Sequence, residues 1–250
     1  MQLAVIILTY NEAEHIAACI DSARFADTII VFDSFSTDST VDLAKRVGVT
    51  VIQHKFENYA SQRNAALSAA KSEWVLFVDA DERVTPELAD EVREKITLPG
   101  YSGFRIPRYN YIFGKRTRGA GWYPDYQTRL LKVGECEYDA NHPVHEIVKL
   151  ERECGTLDHP FIHYNYKDIA QFHQKQTRYN AYYAGIMQDQ GIRPKPQNYV
   201  LQPLRQVWWR FVTLKGYIDG WHGLCLSVLM GWYEFQKYVA LAKLWQNFTP

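Results

Sequence analysis

The chain has no charge excess: 28 lysines and arginines stand against 28 aspartates and glutamates in 250 residues. A balanced chain presents no global field to a polyanion, so nucleic acid is not expected as a partner. Cysteine is scarce, and Cys19, Cys136, Cys154 and Cys225 lack metal-ligand spacing. That fits free thiols in a reducing compartment. No run of about 18 or more uncharged apolar residues occurs, so no ordinary membrane span is expected. Met1-Gln2-Leu3 enters an apolar run with neither a basic region nor a small-residue cleavage site, so no signal peptide is expected. There is no Gly-x-Gly-x-x-Gly after the first apolar run and no Gly-x-x-x-x-Gly-Lys-Ser/Thr anywhere. Those absences argue against a dinucleotide dehydrogenase and a P-loop NTPase. Internal repeats and low-complexity tracts are also missing. The length allows one large domain, or one domain with an appendage.

What is present is organised around Trp74-Val75-Leu76-Phe77-Val78-Asp79-Ala80-Asp81-Glu82. A continuous apolar run rich in β-branched and aromatic residues reads as a strand buried on both faces of a parallel sheet. Its acids fall at the carboxyl end, where open α/β sheets bind ligands. Asp79 and Asp81 stand two apart, so an extended strand puts both on one side. Hard oxygen ligands of this kind suit Mg²⁺ or Mn²⁺ holding a diphosphate. In isolation, Asp-x-Asp is more often an acidic turn.

Other strand ends change that balance. Leu3–Leu8 is apolar and ends in Thr9-Tyr10-Asn11-Glu12, and apolar residues at helical spacing follow to about Arg24. Thr28–Phe32 ends in Asp33. The polar stretch Ser34–Ser39 offers caps for a helix that Gly48 should stop. Val49–Ile52 is a short strand, and alanine-rich Tyr59–Ala70 a helix. Thr85-Pro86-Glu87 opens another helix. Alternation from residue 3 to about 96 predicts a doubly wound parallel sheet, with three polar strand ends along one edge.

After Pro99, Gly103–Arg108 and Gln127–Lys132 alternate apolar and polar residues, as half-buried strands do. Gly114–Gly121 is basic and glycine-rich, and reads as a mobile loop. From Asp168, a cap with Gln171 three residues on, a helix should run to Gly191.

Together the motifs Val5–Glu12, Val31–Thr40 and Asp79-Ala80-Asp81 resemble the family 2 glycosyltransferases of the GT-A fold. Trp122–Leu130, Val144-His145-Glu146 and Lys175–Asn180 are similar to a narrower branch, bacterial enzymes that add a sugar, often glucose, to the lipopolysaccharide inner core. The resemblance implies an α/β GT-A domain over 1–167, with a nucleotide-sugar half (1–98) and an acceptor half (99–167). A helical, aromatic-rich extension follows over 168–250. It implies that Thr9, Tyr10 and Glu12 line the nucleotide pocket and that Asp33 holds the uracil or ribose of a UDP-sugar. Asp81 would bind the metal directly, with Asp79 on ribose or a metal-bound water. Arg63 approaches a phosphate or an acid in that pocket, or forms a helix-surface salt bridge. Trp122, Tyr123, Arg129 and His145 would face the acceptor. Inversion needs a general base on the acceptor hydroxyl. Glu146 is preferred to Asp125, because it follows the metal motif at about the expected distance, beside His145. The usual Glu-Asp pair is missing. His142, His159 and His163 read as ordinary hydrogen-bonding histidines, with a third metal ligand among them as the less favoured alternative.

Residues 199–250 hold five of the seven tryptophans, with five basic residues against two acids. That composition suits a segment lying on anionic lipid. Packing on the catalytic domain or homo-oligomerisation would bury the same aromatics. The reading is an inverting, metal-dependent transferase using a UDP-sugar on a lipopolysaccharide-core or other glycolipid acceptor, peripheral on the cytoplasmic face of the membrane. Its rivals are a polyprenyl-phosphate glycosyltransferase, a nucleotidyltransferase and a non-catalytic sugar- or lipid-binding protein.

Overall fold

The computed structural model describes residues 1–139 and 147–247. Two compact units share the chain: Met1–Arg108 with Tyr126–His163, and Tyr109–Asp125 with the chain from Tyr164 on. Residues 109–125 thus group with the carboxyl-terminal helices.

Along the chain, β1 (Leu3–Thr9), α1 (Ile16–Ser22), β2 (Thr28–Asp33), α2 (Thr40–Arg46), β3 (Thr50–Gln53), α3 (Tyr59–Ala69) and β4 (Trp74–Asp79) alternate as predicted. Next come β5 (Glu82–Arg83), α4 (Pro86–Lys95), β6 (Tyr101–Ile106) and the hairpin β7 (Arg108–Ile112) and β8 (Lys115–Arg116). β9 (Gln127–Lys132), β10 (Cys136–Tyr138), β11 (Val148–Leu150), β12 (Glu153–Thr156) and β13 (Phe161–Tyr166) precede α5 (Ile169–Asp189), α6 (Asn198–Trp208) and α7 (Gly220–Gln246).

The first unit is built on a seven-stranded sheet in the order β12-β6-β9-β4-β1-β2-β3. β4, β1, β2 and β3 are parallel, whereas β9 enters antiparallel between β4 and β6. The central strands carry apolar side chains to both faces. Val5, Ile7, Leu76 and Val78 meet Ile16, Ile20, Leu88 and Val92 on one side. On the other, Ala4, Ile6, Val75 and Phe77 meet Ala60, Ala66, Leu67 and Tyr138. This two-sided burial is why β1 and β4 are continuous apolar runs and not alternating ones. Each large side chain so buried contributes about 1.5–3 kcal/mol.

Register then places the chemistry. Leu8 stands opposite Asp79, Thr9 opposite Asp33, and Asp33 opposite Gln53. The polar ends therefore share one edge. α1 starts at Ile16: Asn11 takes a left-handed backbone (φ 55°), and the chain turns before the helix begins. α4 opens as predicted, with Thr85 accepting a hydrogen bond from the Leu88 amide (3.2 Å) and Pro86 next to it.

In the second unit, α5 and α6 each pack on α7. Ile112, Tyr166, Phe172, Leu226 and Tyr233 form its main core. Asp168 caps α5 by accepting from the Gln171 amide (2.8 Å), and Gly191 lies just past its end at φ +73°. The basic stretch 114–121, expected to be a mobile loop, is anchored. β8 pairs with β7, the Thr117 amide donates to the Asn110 carbonyl (2.9 Å), and Asp219 accepts from the Arg118 and Gly119 amides (2.9 and 2.7 Å). Buried Asp219, a hundred residues away in sequence, is what fixes this segment. Among the described residues, no helix is long and apolar enough to cross a membrane.

Candidate active site

At the end of β2, the carboxylate of Asp33 is fully buried. It accepts from the Ser36 amide (3.0 Å), Gln53 Nε2 (3.0 Å) and the Ser36 hydroxyl. The loops after β1 and β2 are laced together around it. The Asn11 amide donates to Ser36 Oγ (2.8 Å), the Thr37 amide to Asn11 Oδ1 (2.8 Å), and the Glu12 amide to Thr40 Oγ1 (2.8 Å). Thr9 is buried, and among the described residues nothing hydrogen-bonds its hydroxyl, whereas Tyr10 is largely exposed.

β4 delivers the acids. Asp79 is gripped from both sides: Arg63 Nη2 donates to one oxygen (3.0 Å) and Arg129 Nη2 to the other (2.7 Å). Both arginines are almost wholly buried, at 1% and 3% exposure. The Arg63 guanidinium also lies 5.0 Å from the ring centre of Phe77 and 5.8 Å from that of Tyr138. Arg63 is thus a buried partner of an acid, not half of a helix-surface ion pair. Arg129, expected on the acceptor, projects from β9 onto Asp79 of the Asp79-Ala80-Asp81 stretch. It is the antiparallel insertion of β9 beside β4 that brings it there.

The third acid also has a role. Glu82 is fully buried; one oxygen accepts the Asp79 amide (2.9 Å) and the other faces Arg108 (3.2 Å). Burial, reinforced by the charge of Asp79, pushes its carboxyl well above the usual carboxylate range. Pairing of β5 with β13 sets His163 opposite Glu82, and His163 Nε2 lies 3.4 Å from Asp81 Oδ2. Asp79 is thereby matched by Arg63 and Arg129, and Glu82 faces Arg108, so the acids of this cluster sit among buried or half-buried cations. The sequence pattern did not single out Glu82, Arg108 or Gln53. Their only sequence signals are a third consecutive polar position after β4 and basic or amide residues at strand ends.

The donor set fits Mg²⁺ or Mn²⁺. Among the described residues, no group of three His, Cys, Asp or Glu side chains is placed to hold a metal. Such ions, however, are commonly held by one or two carboxylates, with water and substrate phosphates completing the shell. Asp81, with its carboxylate beside His163, offers that chemistry, whereas Asp79 has both oxygens on guanidinium groups.

Of the residues expected at the acceptor, those in 122–125 belong to the second unit. Asp125 Oδ2 accepts from Asn110 Nδ2 (3.1 Å), which also donates to the Trp122 carbonyl (2.8 Å). Trp122 packs beside Tyr166 and Phe172, with ring centres 6.0 and 6.3 Å away. Tyr123 stacks obliquely on Tyr109 at 4.8 Å. Glu146 and His145 lie outside the described residues.

An open, mostly parallel sheet with its polar groups gathered at strand carboxyl ends is a nucleotide-binding architecture. Within that class, residues 4–145 match the model of glycosyl transferase family 2. The chain belongs to that family and is a glycosyltransferase with the GT-A fold. It is 28% identical to an uncharacterized glycosyltransferase of Rickettsia bellii, over 97% of this chain and 86% of the relative. It is 24% identical to LpsC, a lipopolysaccharide core biosynthesis glycosyltransferase of Rhizobium meliloti, over 97% of this chain and 95% of LpsC. Among solved structures, glucosyl-3-phosphoglycerate synthase of Mycobacterium tuberculosis, in complex with Mn²⁺ and UDP-glucose, is 23% identical, with a TM-score of 0.38 over 44% of each chain.

Proposed function

We propose that this glycosyltransferase moves a hexose such as glucose from a UDP-sugar to a lipopolysaccharide-core or related glycolipid acceptor, with inversion and with Mg²⁺ or Mn²⁺. The observation that carries the donor half is the register that sets Asp33 and the Asp79–Asp81 motif on one edge. The likeness to LpsC along nearly its whole length supports the acceptor class.

In this reading Asp33 accepts hydrogen bonds from the uracil or ribose, and Thr9, Tyr10 and Glu12 line the pocket. Asp81 holds the metal, with His163 as a neighbouring donor. Asp79 fixes Arg63 and Arg129 so that two buried cations border the diphosphate. A bound divalent ion supplies neutralisation of the charge that develops on the departing diphosphate. The acceptor oxygen forms its bond to the anomeric carbon from the face opposite the leaving UDP, and its proton passes to Glu146 or Asp125. Trp122, Tyr123 and His145 contribute to acceptor binding.

The same reading places the enzyme on the cytoplasmic membrane face. No residue of α6 is buried, and Val200, Leu201, Leu204 and Trp208 recur at helical spacing, each about 60% exposed. An apolar helix face in a tryptophan-rich, net-basic segment suits an anionic bilayer, where a glycolipid acceptor resides.

The test is UDP release from a panel of UDP-sugars with and without Mn²⁺ or Mg²⁺, with donor binding by calorimetry alongside. Turnover of one donor, abolished by chelation and by Asp81→Ala, is the expected outcome. A chain that binds no UDP-sugar refutes the donor assignment, and activity that survives Glu146→Gln favours Asp125 or an acceptor phosphate that needs no base.

A further inference from the structure

We propose that the second unit carries a site for the phosphate of an anionic lipid headgroup, in a cleft of about 450 Å³ lined by Lys115, Arg116, Arg118, Asp219, Trp221 and His222. The proposal rests on the membrane reading above and adds to it a defined site and a headgroup chemistry.

The charge balance of the cleft points to an anion. Its one acid, Asp219, is engaged: one oxygen accepts the Arg118 and Gly119 amides, and the other lies 3.6 Å from Arg118 Nε. Three exposed cations therefore face a single, buried and already satisfied carboxylate. His222 adds no compensating charge. Burial, and after it the nearby Lys115 ammonium, lowers its affinity for a proton, and its Nε2 meets Thr117 Oγ1 at 3.2 Å. Lysine and arginine together are the donors that phosphate oxygens accept from most readily.

The walls are built, not incidental. Arg116 is seated over the Tyr109 ring, 3.4 Å from its centre, so its charge is held at the mouth. A side chain at Gly119 would meet the Lys215 carbonyl at 2.2 Å, and one at Gly223 would meet the Gly216 carbonyl at 1.9 Å. These backbone approaches lock the hairpin and the start of α7 against the turn at Gly216–Asp219. At the rim stand Trp221, 78% exposed, and Ile218, 43% exposed. A tryptophan and an aliphatic side chain beside clustered cations match the headgroup level of a bilayer, where a free sugar phosphate in water would leave both exposed.

The experiment is vesicle co-sedimentation of the full chain. Vesicles of phosphatidylcholine are compared with vesicles of equal parts phosphatidylcholine and phosphatidylglycerol. The triple variant Lys115→Ala/Arg116→Ala/Arg118→Ala and the single variant Trp221→Ala are set against a charge-matched control, Lys45→Ala/Arg46→Ala/Lys71→Ala. Thermal unfolding checks that each is folded, and Lys115→Glu serves if the triple variant is not. The site predicts that the triple variant loses about 100-fold in affinity for anionic vesicles, while the control stays within about threefold. Equal losses in variant and control would reduce the effect to diffuse charge and overturn the site. Calorimetry with glycerol 3-phosphate covers the other source. Binding of that soluble ligand, lost in the triple variant while vesicle binding persists, would overturn the lipid assignment. Vesicle binding indifferent to the triple variant sinks the site alone, whereas a wild type that ignores both vesicles sinks the membrane reading with it.

Discussion

Arg129 reaches from β9 to within 2.7 Å of Asp79 Oδ2, so the first acid of Asp79-Ala80-Asp81 is held by a residue fifty positions downstream. With Arg63 on its other oxygen, Asp79 is the shared counter-ion of two buried guanidinium groups. Removing it leaves two buried like charges without the carboxylate they share. Asp79→Ala should therefore cost about 3 kcal/mol of stability as well as activity. Asp81→Ala, where the neighbouring group is His163 and not a pair of buried guanidinium groups, should cost about 1 kcal/mol or less. It should still abolish metal-dependent UDP release. Urea unfolding paired with turnover resolves the two roles, and equal destabilisation by both variants would remove the distinction.

Asp33 makes a second, separable prediction. Its carboxylate is fully buried and satisfied by Ser36 and Gln53, which fixes the loop that would border the proposed nucleotide. Asp33→Asn keeps the shape but turns part of an acceptor into a donor. UDP affinity measured by calorimetry should fall about tenfold or more, with a stability loss of about 1–3 kcal/mol from mispaired buried groups. Unchanged UDP affinity would remove Asp33 from the nucleotide site.

Much of this architecture is legible in local sequence pattern. β1 and β4 are continuous apolar runs because both their faces are buried, and Thr85-Pro86 and Asp168 mark helix starts by chemistry that acts within one turn. The partners of the acids are not legible in that way. Arg129 lies in a stretch that reads as a half-buried strand with no place in a sheet implied, and β9 sits inside the sheet because it pairs with β4 and β6 at once. Nothing near Arg129 in sequence encodes that choice. His163 meets Asp81 for the same kind of reason, through the pairing of β13 with β5. The basic hairpin at 115–118 looks loose in sequence because its anchor, Asp219, is remote.

Stability should also respond to acid through Asp27. Two Arg93 nitrogens donate to its carboxylate (3.0 Å each), and the Leu3 amide donates at 2.7 Å, tying α4 to the start of β1. The Arg93 hydrogen bond first, then that from Leu3, lowers its pKa to about 2. A depressed folded-state pKa gives stabilisation that is complete above the unfolded value of about 4 and lost as pH falls toward the folded one. The pair is partly exposed, so its contribution is about 1 kcal/mol or less after screening. Asp27→Asn should lower the Tm by a constant amount from neutral pH down to about 5, and the gap should close below about pH 4. A gap that widens in acid would contradict the pairing.

Two glycines in neighbouring helices should respond to alanine in opposite directions. At Gly185, inside α5, an added Cβ meets nothing within 4 Å, so alanine only removes backbone freedom from the unfolded chain. Gly185→Ala should stabilise by about 0.5–1 kcal/mol. At Gly223, in the first turn of α7, the Cβ would fall 1.9 Å from the Gly216 carbonyl oxygen and 2.8 Å from its carbon. Backbone cannot swing aside as a side-chain tip can, so α7 or the turn at Gly216–Asp219 must shift. Gly223→Ala should destabilise by about 2 kcal/mol or more, despite the better helix propensity of alanine. Thermal unfolding of the two variants reads the signs directly. Because that turn carries Asp219, the Gly223 variant should also weaken binding to anionic vesicles, while the Gly185 variant should leave it unchanged. If both substitutions stabilise, α7 is not seated tightly against the turn, and the headgroup cleft loses the rigid wall on which its specificity depends.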